Sequence, residues 1–195
     1  LTYTEDFSNA VWDKSGISFS GGVLTESATS ARHWCGVMAI PRTASVVTVS
    51  FVVKKKDRRY CAITLNDSGG TSRYSPVFDL DTLTVTAQNT TGSPASTGAS
   101  AVALTDGKVL IRATMYATQL TEAYVALSDS GTPSTFVSTP TYSGDGTSGI
   151  YLYSAQMELG ASASSHQTVT AAYDITESGV ASVYTAYFDG VDDCL

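Results

Sequence analysis

Asp57, Asp79, Asp81, Glu122, Asp145 and Glu158 are the carboxylates this chain has available for acid–base work. Breaking a glycosidic bond takes two such groups facing one another across the bond, one of them with a raised pKa. Nearly all six fall in turns or at strand ends, where acidic residues are expected on structural grounds, and no pair is singled out. A Ser-His-Asp arrangement would have to use His33 or His166, the only two histidines, and neither accompanies a nucleophile-elbow motif. The residues therefore point away from an enzyme. Recognition without bond chemistry asks for less: flat aromatic surfaces against the apolar faces of a sugar ring, and polar side chains reaching its hydroxyls. Trp34, Tyr60, Tyr116 and Tyr124 fall on strand faces opposite to, or away from, the best core positions, and Arg112, Thr114 and Gln156 can supply the polar partners. For each of these aromatics the competing role is burial between sheets or in a subunit interface.

The elements that must hold these residues are strands. Ser and Thr together number 53 and charged residues make up only 15% of the chain, while amphipathic stretches of helical period are nearly absent. Residues 46–53 alternate most cleanly, with Val47, Val49, Phe51 and Val53 expected inward and Thr48, Ser50 and Val52 on the reverse. That reverse face is mild in polarity, which suits the lining of a groove better than a face open to bulk water. Residues 60–66 form the next strand, with Cys61, Ile63 and Leu65 inward, and residues 73–78 and 83–87 read as a hairpin. Residues 1–12 read as a short first strand anchored by Phe7 and Trp12, residues 88–100 as a surface loop, and 109–117 with 122–128 as a further strand pair. About nine strands with turn chemistry between them give an all-β fold, a jelly-roll β-sandwich of two antiparallel sheets.

Eleven basic against eighteen acidic residues give a formal charge of -7, and no basic stripe is long enough to track a phosphate backbone, so nucleic acid is not an expected partner. The basic cluster Lys54, Lys55, Lys56, Arg58 and Arg59 reads as a solvated turn, with an anion site as the alternative. Three cysteines, Cys35, Cys61 and Cys194, fit neither a disulfide scaffold nor a zinc site. Two readings stay open for the first two: buried free thiols, or a Cys35–Cys61 bridge. No stretch reads as a signal peptide or a membrane span, so membrane insertion is not expected, and a start at Leu1 suggests a processed product or an excised piece.

Residues 142–160 are the best-punctuated stretch. A Gly-Asp-Gly turn feeds a run rich in Ile, Tyr and Leu that ends at Gly160, and Tyr151, Tyr153, Ala155, Met157 and Leu159 are expected on its core side. The longer run GDGTSGIYLYSAQMELGASASSHQT resembles the closing signature of jelly-roll modules in tailed-phage virion proteins, of the tail-fibre and tailspike type. In those modules a Gly-Asp-Gly-Thr turn, a strand ending in Ala-Gln-x-Glu-x-Gly and a Thr-Ser-Tyr-Ile-Pro-Thr-like tail recur. LTYTEDFSNAVWDKSG, TVSFVVKKK and DGKVLIRATM, with Arg112 at the matching position, are similar to further strands of the same family. The likeness covers most of residues 1–170. The tail departs from it, with His166 and Gln167 where Tyr and Ile are usual and with no proline.

This resemblance implies a carbohydrate-binding-module-like domain over residues 1–170, displayed on the virion surface and attached to cell-surface glycans and to other virion proteins, with a homotrimer as a possible assembly. The binding residues it suggests are Trp34, Tyr60, Arg112, Tyr116, Tyr124 and Gln156. Related sugar-binding modules often hold a structural calcium ion, for which Glu5, Asp6, Asp145 and Glu158 could supply oxygens, although turn and capping roles compete and no cofactor is expected. Residues 171–195 form a linker or terminal strand. Their last residues, FDGVDDCL, resemble the start of laminin-G or concanavalin-like modules, either the beginning of a second lectin-like domain or one strand that pairs with a neighbour. Two rival functions stand beside adhesion: a capsid decoration or head-fibre subunit making only protein contacts, and an ancillary domain of a polysaccharide depolymerase.

Overall fold

A computed structural model describes residues 1, 3–38, 44–67, 72–118, 120–133 and 140–170. They form two six-stranded antiparallel sheets packed face to face. In spatial order the first sheet contains β1 (Asp13–Ser15), β5 (Trp34–Met38), β12 (Leu120–Ser128), β7 (Tyr60–Asp67), β8 (Arg73–Asp79) and β9 (Thr84–Thr91). The second contains β10 (Ala95–Ala103), β11 (Val109–Ala117), β6 (Ser45–Lys55), β14 (Gly149–Leu159), β3 (Val23–Glu26) and β2 (Ile17–Ser20). A two-stranded ribbon, β4 (Ser30–Arg32) with β13 (Thr141–Ser143), closes one end. The fold is an all-β sandwich of the jelly-roll kind, with the chain passing repeatedly from one sheet to the other.

Strand alternation builds the core. Val47, Val49, Phe51 and Val53 of β6 and Ile111, Ala113 and Met115 of β11 are buried against Cys61, Ile63 and Leu65 of β7 and Val125 and Leu127 of β12. Each apolar side chain taken out of water in this way contributes roughly 1.5–3 kcal/mol of transfer free energy. Cys35 and Cys61 are both buried and both free, so the bridge reading is set aside. Burial pushes the Cys35 thiol up to about 12, and raises that of Cys61 as well.

Three expectations are corrected. Residues 3–12 are consecutive turns, because Asp6 accepts from the Ser8 backbone N–H and Asn9 from that of Val11, and these local bonds displace a ladder. Phe7 and Trp12 are nonetheless core anchors, with ring centroids 4.7 Å apart. Residues 88–100 are the end of β9 and the start of β10, which are edge strands of opposite sheets. Exposed on much of their surface, they need no apolar alternation, so the pattern that marks a central strand is missing.

The third correction concerns the face of β14. Leu152 pairs with Val53 and Ser154 with Val52, so Tyr153 is one residue too many, a β-bulge. Before it Ile150 and Leu152 face the core, and after it Ala155 and Met157 do. Tyr151 and Tyr153 are thereby turned outward, and Leu159 is 62% exposed at the strand end. Gly149 pairs with Thr25 where β14 runs beside β3, and a Cβ there would stand 2.0 Å from the Leu24 carbonyl oxygen. His33 is fully buried, with Nδ1 2.6 Å from the Gly16 carbonyl oxygen and Nε2 3.3 Å from that of Tyr142.

Residues 171–195, including Cys194 and the FDGVDDCL run, lie outside the described residues, as do 39–43 and 134–139. Among the described residues no helix is long and apolar enough to cross a membrane.

Candidate functional site

The basic cluster covers the end of β6 and the turn after it; Lys55, Lys56 and Arg59 are exposed there, as a solvated turn requires, and their charges are paired with carboxylates rather than left open for an anion. Lys55 bonds both carboxylate oxygens of Asp81, at 2.8 and 2.7 Å, and Lys56 pairs with Asp57. Arg59 clamps Asp79 through two bonds of 2.9 and 2.6 Å. Arg58 forms a two-pronged pair with Glu26, whose side chain is wholly buried and also accepts from Tyr142 Oη at 2.7 Å and the Asp145 N–H at 2.8 Å. Burial alone would push the Glu26 carboxyl up, but the bonds from Arg58, Tyr142 and Asp145 outweigh it and hold the group below the usual carboxylate range. This cluster fastens the β4–β13 ribbon to the sandwich.

The carboxylates weighed for calcium are occupied locally. Asp145 Oδ1 accepts from the Thr147 and Ser148 N–H groups at 2.7 Å each, closing its own Gly-Asp-Gly-Thr turn. Asp6 accepts from Ser8, and Glu158 takes the Ser164 N–H on both oxygens, at 2.9 and 3.0 Å. Glu5 accepts from Thr168 Oγ1 at 2.9 Å and stands 3.0 Å from His166 Nε2. Among the described residues no three metal-ligating side chains come together.

The six side chains expected to contact ligand divide between the two outer faces. Trp34, Tyr60 and Tyr124 lie on the first sheet. Tyr124 is only 2% exposed, under Trp34 at 4.9 Å between ring centroids, so it offers no open ring face and that expectation is corrected. The close fit there needs Gly36, where a Cβ would meet Tyr124 Cβ at 2.1 Å. Tyr60 lies under the Arg59 guanidinium, 5.2 Å away, and its other neighbour is Gly131. On the same sheet face, Ala62, Thr64, Ser75, Val77 and Ala126 are all buried, with Ser75 Oγ donating to Thr64 Oγ1 at 2.9 Å.

Arg112, Tyr116 and Gln156 lie on the second sheet, and two of them share a groove. Its floor is the outer face of β11, β6 and β14, where Arg112 and Gln156 are both register partners of Ser50. The central cleft, about 410 Å³, is lined by Ser50, Val52, Leu110, Arg112, Ser154 and Gln156, with residues 163–166 on one side and Leu104 on another. Two further clefts continue it. One, about 850 Å³, reaches Glu5, Thr105, Lys108, Tyr153 and His166, and the other, about 210 Å³, reaches Thr48, Ser100 and Thr114. Tyr116 is exposed at the far end of the same face, outside the lining.

The wall formed by the tail is held by the side chains beneath it. Gln156 Oε1 accepts from the Gln167 N–H at 2.7 Å and its Nε2 donates to the Ser165 carbonyl oxygen at 3.3 Å. Gln156 is thus a positioning residue whose amide is spent on the protein. The tail is tied to the chain start as well, by Thr4 N–H to the Val169 oxygen and Val169 N–H to Thr4 Oγ1, at 3.0 and 2.9 Å. Arg112 contrasts with this saturation: its Nε is buried with no hydrogen-bond partner among the described residues. At the other end Lys108 Nζ sits 4.4 Å from the Tyr153 ring centroid, and Tyr151 stacks beside Tyr153 at 6.4 Å.

Of the residues singled out in the sequence, Arg112, Thr114 and Gln156 line the clefts over the reverse face of β6. Tyr153, Ser154 and Lys108 line them too without having been singled out, Tyr153 because simple alternation placed it in the core. A bulge leaves no composition signal, though two tyrosines at positions 151 and 153 on one expected core face, with Ile150 and Leu152 on the other, were a conflict that a change of phase resolves.

The chain matches no protein-family model and no curated protein.

Proposed function

We propose that this chain is a non-enzymatic adhesion module of a bacteriophage virion, of the tail-fibre or tailspike type, that binds host surface glycans in the groove over the second sheet. The observation that carries the reading is the groove's make-up: an apolar floor of Val52 and Leu110, hydroxyls of Ser50, Ser154 and Ser164, one arginine, and Tyr153 at its mouth. That is the mixture a polyhydroxylated ring with apolar faces calls for. The sequence resemblance to phage jelly-roll modules supplies the virion setting. Among the described residues no carboxylate lines the central cleft, which supports binding over glycoside hydrolysis. Affinity per site is modest, and repetition of the module on the particle, as a trimer and beside other virion proteins, raises avidity.

A glycan array with the purified, folded protein tests the reading. Binding to bacterial surface glycans supports it, and silence across the array turns the account towards the second reading, a decoration or head-fibre subunit that makes only protein contacts. Tyr116, 38% exposed, and Leu159, 62% exposed, lie at one end of the second sheet and favour that alternative. Fold alone does not choose between them.

A further inference from the structure

We infer that the groove selects acidic glycans, those carrying a carboxylate or phosphate, and that Arg112 is the residue that reads the charge. The inference rests on the adhesion reading and names the ligand class within it. Arg58, Arg59 and Arg73 each have an acceptor: Glu26, Asp79 and the Asn66 side-chain oxygen. Arg112 has none at its buried Nε. A guanidinium carries five N–H donors and no acceptor, and a donor left unmatched is costly, so an acceptor brought by a ligand into the cleft that Arg112 lines is favoured.

Glu158 feels the charge of Arg112, but its two oxygens are held by Ser164. Arg112 lines both the central cleft and the smaller one beside Thr114, and among the described residues neither has a carboxylate in its walls. On a protein of formal charge -7, Arg112 gives this cleft a local positive charge, while further along the same groove Lys108 is accompanied by Glu5. A planar guanidinium matches carboxylate and phosphate oxygens in a paired geometry that an alcohol does not offer. Ser50 and Ser154 beside it suit the ring hydroxyls.

Paired probes separate this claim from the adhesion reading. Binding is measured for sialyllactose against lactose, polygalacturonate fragments against their carboxyl-reduced forms, and mannose 6-phosphate against mannose. The expected result is binding of at least one charged probe, with its neutral partner about ten- to hundred-fold weaker, the scale of one charge-assisted hydrogen-bond set. The carboxylate and phosphate arms tell which anion is preferred. Arg112→Gln should erase the difference within a pair, while Arg112→Lys, which keeps the charge, should restore part of it; both variants are first checked for a parent-like melting transition. Neutral and charged partners binding alike would overturn the acidic selection and leave adhesion standing. Failure of every probe, neutral and charged, would count against both.

Discussion

Arg112 and Gln156 lie 44 positions apart in the chain yet flank the same residue, Ser50, as its register partners on β11 and β14. One transverse row of the second sheet thus carries a guanidinium, a hydroxyl and an amide. The amide is turned upward to hold the tail, while the guanidinium is left without a partner at Nε. The division of labour sets out what each substitution should do.

Gln156→Ala should act through the tail. Losing the bonds to Gln167 and Ser165 frees residues 163–167 from the groove wall, so glycan binding should weaken about tenfold while the core stays folded. Hydrogen exchange should rise at the Gln167 amide, a change that loss of a direct sugar contact alone would not produce.

Breaking the buried pair should cost stability without touching the groove. Glu26→Gln leaves Arg58 with only the more distant Asp145 carboxylate, 3.7 Å away, as counter-charge and should destabilise the protein by about 3 kcal/mol, read from chemical denaturation. Binding to any glycan recognised by the parent should be unchanged once the variant is folded.

The same carboxylates predict the acid limb of stability. Arg59 holds Asp79, and Arg58 with Tyr142 and the Asp145 N–H hold Glu26, below the usual range. Groups lowered by folding contribute stability that is complete above their ordinary values of 3.8 and 4.5 and is lost as pH falls towards the folded values. Melting temperature should therefore be level above about pH 5 and drop below pH 4, with a shallower drop in Glu26→Gln.

Cys35 and Cys61 should be inert in the native protein. With the Cys35 thiol pushed up to about 12 and both side chains buried, iodoacetamide followed by peptide mass mapping should find neither modified at neutral pH until denaturant is added. Labelling of either in the folded state would contradict the core described for β5 and β7.

Much of the fold was legible because central strands alternate. β6, β7 and β11 bury one face fully, and their sequences say so through Val47, Val49, Phe51, Ile63 and Ile111. What was not legible shares a cause: it depends on contacts that a one-dimensional period does not encode. Edge strands β9 and β10 lack a two-faced environment, and the extra residue at Tyr153 reverses the phase of β14 midway. Trp34 and Tyr124 are on an outward-facing position, as alternation predicts, but they cover each other. The turn residues were read correctly as punctuation, whereas the pairing of Arg58 with Glu26 across 32 positions had no local signal.

Binding isotherms for one surface polysaccharide of a susceptible bacterium, run on the parent, Tyr153→Ala, Arg112→Ala and Trp34→Ala, each verified as folded, test the central claim most directly. The account predicts saturable binding by the parent, loss of about tenfold or more in Tyr153→Ala and Arg112→Ala, and parent-like binding in Trp34→Ala. Loss in Trp34→Ala with the two groove variants unaffected would move the site to the first sheet, and no binding by the folded parent would contradict the adhesion account.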